Sequence, residues 1–152
     1  MFEERLDVDE PTLLRNLLTF LFSFSLALLA LSISMEWFIY QPPGNVPEGL
    51  HLTMTNGDSL LDSIRISLDI LMVFGFITLA LHLADTRIQV TIIGWTTGVA
   101  LWLTLVGSVV TLNGDNTHPS LGYGTVVFAA IVWASCMVAN TWRIFIAPRR
   151  RK

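Results

Sequence analysis

Residues Asn16 to Ser34, NLLTFLFSFSLALLALSIS, form the stretch whose reading decides the fold. It holds no charged side chain; the nearest charges are Arg15 before it and Glu36 after it. As a helix rising about 1.5 Å per residue, the segment between those two charges is roughly 30 Å long, the thickness of a bilayer's hydrocarbon layer. Hydrocarbon offers no partner to a backbone N–H or C=O, so a segment of this kind must close its own hydrogen bonds as a helix. A barrel strand would be about half as long and would alternate in polarity. The run from Leu26 to Leu31 does not alternate.

Three more runs are comparably long and apolar, the first of them interrupted by Asp69: Ile66 to Ala84, Val90 to Leu112 and Leu121 to Trp142. Of the 152 residues, 53% are hydrophobic and only 14% charged, and the mean hydropathy is +0.61. Both figures lie outside the range of soluble domains. The expected fold is therefore an all-α membrane protein, a single domain with four spans in an antiparallel bundle, covering about residues 12–37, 60–85, 88–112 and 119–146. The opening MFEERLDVDEP is mainly acidic and the run behind it has full span length, so the first segment reads as a retained span rather than a signal peptide.

Basic residues set the orientation. Arg5 and Arg15 precede the first span, Arg87 lies between the second and third, and Arg143, Arg149, Arg150, Arg151 and Lys152 follow the fourth; only Arg65 falls on the opposite side. The positive-inside rule then places both termini in the cytoplasm, with the plasma membrane the expected location. The terminal cluster Arg149, Arg150, Arg151 and Lys152 acts as a topology determinant and can contact anionic lipid at roughly 1 kcal/mol per basic residue. Nothing in the charge pattern suggests a nucleic-acid partner. The lone cysteine, Cys136, lies in the fourth run, which excludes an internal disulfide and any multi-cysteine metal site.

Small residues mark packing faces. Ser23, Ala27, Ala30 and Ser34 recur at steps of four, three and four in the first span. Gly94 and Gly98 have GxxxG spacing in the third, and Ala130, Ala134 and Ser135 continue the theme in the fourth. Such faces let membrane helices approach closely, within one chain or between chains. The linker DTRIQ makes the second and third spans antiparallel neighbours. The first outer loop, with WFIY and QPPGNVPEG, reads as an interfacial aromatic cluster followed by a stiff extended connection. Pro11 and Pro119 each suit the first turn of a helix. The turns TNGDSL and LNGDNT echo one another before the second and fourth spans.

The second span opens with SLLDSIRISLDILMVF, Ser59 to Phe74, which carries Asp62, Arg65 and Asp69 at consecutive turns. Ser59 and Asp62 have capping-box spacing, and Asp58 suits the positive end of the helix dipole. Asp69 lies four residues deeper than Arg65, so it is expected to face protein and to pair with Arg65. A proton-linked role and a contact with a partner subunit are the alternatives. His82 lies far along the same helix, and His51 and His118 lie in the outer loops. A bis-histidine haem finds only His82 within a span, and an outer metal site from His51, His118 and aspartates lacks close ligand spacing.

No catalytic constellation is present: G-x-S-x-G, H-E-x-x-H and a phosphate loop are all missing. In outline, four spans with an early Trp37 in a longer first outer loop resemble claudin-like proteins, but the paired loop cysteines of that family are absent and no residue role carries over. Small multidrug transporters also have four helices, but their carboxylate lies in the first span, where this chain has none. The expected function is that of a non-enzymatic tetraspan, a structural or accessory subunit that packs against copies of itself or other membrane proteins and needs no cofactor or metal. The alternative is an oligomeric channel or proton-linked transporter using Arg65 and Asp69.

Overall fold

A computed structural model describes residues 10–40, 50–53, 59–112 and 117–145. Four helices dominate it: α1 (Glu10–Ile33), α2 (Ser59–Leu83), α3 (Arg87–Leu112) and α4 (Leu121–Phe145). Each is long and apolar enough to cross a membrane. Pro11 occupies the first turn of α1, where its missing N–H costs no internal bond. At the other end of α1, Ser34 N donates to Leu31 O and Met35 N to Ser32 O, tightening the last turn before the chain leaves the helix.

The turn between α2 and α3 is short because it is fully bonded. Thr86 N donates to Leu81 O, and Asp85 N to His82 O, the paired bonds of a Schellman motif. Asp85 stands at the left-handed position of that motif, with φ of 54°. Thr86 then accepts the N–H of Val90 on its carbonyl and so opens α3.

Three short strands correct the purely helical expectation. These are β1 (Glu36–Tyr40), β2 (Leu50–Thr53) and β3 (Thr117–Pro119). They form one sheet in the order β2-β1-β3, antiparallel throughout. Trp37, placed by its sequence at the end of the first span, belongs to β1, and Pro119 lies in β3 rather than at a helix start. As an edge strand, β3 tolerates a residue that cannot donate to a ladder. The sheet joins the segment after α1 to the segment before α4, and Ser120 N extends the link with a bond to Trp37 O of 2.8 Å.

The helices contact in a ring, α1 with α2 and α4, and α3 with α2 and α4. Trp133 and Phe22 meet edge to face at 5.1 Å in the centre, among Leu26, Leu68, Leu101 and Met137. Trp37 is wholly buried beneath the sheet, its Nε1 donating to Ser32 O at 2.8 Å. Only 28% to 39% of each span's apolar window is buried inside the chain, so most helical surface points outward and is itself apolar. Phe20, Val73, Phe76, Leu103 and Val110 are all exposed. In water this surface would exceed the few hundred Å² of apolar patch that soluble monomers usually show.

Candidate functional site

Arg65 and Asp69 lie one turn apart on α2, and both are exposed. The inward line of α2 is taken by Ile64, Leu68, Leu71, Gly75, Thr78 and His82, all buried. Asp69 follows Leu68, so it is turned about 100° away from that line. The inward orientation expected for Asp69 is thus corrected: the core positions of α2 are already filled at helical spacing. Among the described residues, neither Arg65 nor Asp69 makes a hydrogen bond or an ion pair. Asp69 is also seven residues beyond Asp62, where the apolar window of α2 starts. An ionised carboxylate facing hydrocarbon costs about 2.5–3.5 kcal/mol at the bilayer centre on insertion scales, and less toward the interface. In a bilayer, a single chain would leave that cost standing.

The small-residue faces divide into two groups. Gly94 and Gly98 are buried against α4. A Cβ at Gly94 would collide with the sulfur of Met137, and one at Gly98 would lie 3.2 Å from Trp133 Cδ1. Trp133 Nε1 donates to Gly94 O at 3.0 Å, a bond that the missing side chain makes reachable. Ala130 is buried in the core, and Ala134 is half-buried beside Ser135 and Val138. The GxxxG pair therefore packs within the chain. On α1 the stripe does the reverse: Ser23, Ala27, Ala30 and Ser34 are all exposed.

Polar side chains tie the helices together. Ser25 Oγ donates to Ala129 O at 2.9 Å, linking α1 to α4. Trp95 Nε1 donates to Thr141 Oγ1 at 3.0 Å, and Asn140 Nδ2 to Thr91 Oγ1 at 3.4 Å, linking α3 to α4. Arg15 Nη2 donates to Leu83 O, placing a cation at the negative end of α2. Buried His82 has Nε2 3.4 Å from Arg15 O and its ring 5.5 Å from that of Phe22. No buried side-chain polar atom among the described residues lacks a partner. Sequence reading missed these ties. Each is an isolated polar residue in an apolar run, a signal that marks the donor but not its partner on another helix.

In the sheet, Ile39 of β1 pairs with His51 on one side and His118 on the other. The two histidines thus share one register position, but their backbones stand two strand spacings apart, about 10 Å. Among the described residues, no group of three His, Cys, Asp or Glu could hold a metal ion. Cys136 is buried in the core. Outside the apolar segments, Asp85 accepts from Arg87 at 3.5 Å through both carboxylate oxygens. That hydrogen bond, aided by the Arg87 charge, holds the Asp85 carboxyl below its ordinary value. The acidic leader, the QPPGNVPEG segment, both Asn-Gly-Asp turns and the cluster Arg149 to Lys152 lie outside the described residues, and so does the side chain of Ser59.

Compared with known proteins, the chain matches no family model, no curated protein and no solved structure.

Proposed function

We propose that the chain is a non-enzymatic, multi-pass membrane protein that serves as a structural or accessory subunit through helix packing. In this reading the four helices cross the plasma membrane as an antiparallel bundle, with residues before α1 and after α4 in the cytoplasm and the sheet outside. The distribution of basic residues supports the orientation, since all but Arg65 then lie on the cytoplasmic side. The observation that carries the function is the division between inner and outer surfaces. Inside, large side chains and bonded polar groups fill the bundle. Outside, the chain presents a small-residue stripe on α1 and, on α2, two charges that have no partner among the described residues. These are features suited to contact with further helices.

The test is extraction from native membranes in mild detergent, followed by mass measurement of the intact particle. The expected result is a particle heavier than one 17.0 kDa chain with its bound lipid, either several copies or a complex with other subunits. A solitary chain would overturn the reading. The outward position of Asp69 gives the channel or proton-linked alternative a definite form: a path using Arg65 and Asp69 would run between copies rather than through one bundle. Reconstituted protein with pH-dependent flux that Asp69→Asn abolishes would favour that alternative.

A further inference from the structure

We propose that a second copy of this chain covers the outward face of α2, with Arg65 of each copy paired to Asp69 of the other. The inference rests on the reading above of a membrane protein that packs by its helices, and it names the partner and the face. Its starting point is that two opposite charges stand one turn apart on the outside of an apolar helix, with no partner among the described residues.

Three ways of neutralising them can be compared. Arg65 alone can extend toward lipid headgroups, because it is nearer the start of α2 and its stem is long. Asp69 cannot follow: it is four residues deeper, its side chain is short, and anionic headgroups repel it. Pairing within the helix is the second way. An arginine placed N-terminal to an acid at i,i+4 has the weaker of the two orientations, and the pair would still face hydrocarbon. A second copy is the third way, and it satisfies both groups together. Copies inserted in one membrane share an orientation, so a two-fold axis along the membrane normal sets α2 beside α2 in parallel. The face is then self-complementary in charge, since each copy presents one cation and one anion. The vertical offset between Arg65 and Asp69 is about 6 Å, within reach of an arginine side chain. Below the charges, exposed Val73, Phe76 and Ala80 continue the same line, and Ala80 lets the two backbones draw together. A lone charge on this face would have called for a different protein carrying the opposite sign. The matched pair calls for the chain itself.

The experiment uses the full chain in lipid vesicles with Val73→Cys as the crosslinking site; the native Cys136 is buried and serves as the control in the unsubstituted chain. Oxidation is expected to join Val73→Cys chains into dimers. Adding Arg65→Asp leaves two anions on the face and adding Asp69→Arg leaves two cations; each is expected to lower the crosslinked fraction about tenfold or more. Mixing the two reversed chains in one membrane is expected to restore crosslinking between them, and so is carrying both reversals in one chain. Recovery in the mixture shows that the reversed chains fold and insert. Failure of the Val73→Cys chain to crosslink to itself, or reversed chains that crosslink as well as their parent, would overturn the proposal. So would a Val73→Cys adduct to another membrane protein when the same chain is oxidised in native membranes. Any of these results alongside a heavy native particle leaves the accessory-subunit reading intact, whereas a solitary native chain removes both.

Discussion

Asp85 is a residue whose type and conformation pull apart. A side chain with a Cβ stands at a left-handed position that glycine usually fills, and it is held there by two backbone bonds at the end of α2 and by Arg87. Replacing it with valine is expected to destabilise the chain by about 1–2 kcal/mol, while asparagine, which tolerates this conformation, is expected to be nearly neutral. Unfolding titrations in detergent would measure both. The pH response has a definite sign. The folded carboxyl titrates below the ordinary 3.8, so the stability contributed by the Arg87 pair is complete above that value and is lost as pH falls through the lower, folded one. Both side chains are about half exposed, so solvent keeps the effect small. Asp85→Asn should abolish that part of the acid dependence.

The element scale shows how much of the fold was legible. The four helices were readable because each is a long apolar run broken by at most one charged side chain, Asp69 in the second, and such runs form helices long and apolar enough to cross a membrane. The direction of each face was not. A helix that is apolar all round carries no polar stripe to mark its outer side, so the Gly94 and Gly98 face and the Ser23 to Ser34 face looked alike, although one packs inward and the other points out. Asp69 was misjudged for a related reason: a single acid in an apolar run does not mark which side of the helix meets the core, and the inward positions are held by Leu68 and Leu71. The strands were invisible because each is five residues or fewer and β1 finds β3 only across two intervening helices. Glycines test this level directly. A Cβ at Gly122 would stand 2.6 Å from the carbonyl oxygen of Glu36, which is backbone, whereas Gly107 has nothing within 4 Å. Gly122→Ala is therefore expected to weaken the junction of α4 with β1, read as faster hydrogen exchange at Phe38 and Ile39. Gly107→Ala is expected to stabilise α3 by about 0.5–1 kcal/mol through helix propensity, read as a higher melting temperature.

For the whole molecule, the proposed orientation and assembly make separate demands. A tag after Lys152 should be shielded from impermeant reagents in intact cells, and a tag placed in the segment between β1 and β2 should be labelled. Labelling of the Lys152 tag from outside would reverse the orientation without touching the bundle. The sheet also bears on how the molecule is made. Its central strand follows the first helix, but one neighbouring strand is synthesised only after the third helix, immediately before the fourth. In a chain inserted helix by helix, Phe38, Ile39 and Tyr40 must wait with one edge unpaired until Thr117, His118 and Pro119 emerge on the same side of the membrane. In the proposed orientation, closing the sheet would register that the later helices have crossed in the correct sense: a chain that mis-threaded its third helix would deliver the last strand to the wrong compartment and keep an open edge, the form in which strands recruit other chains.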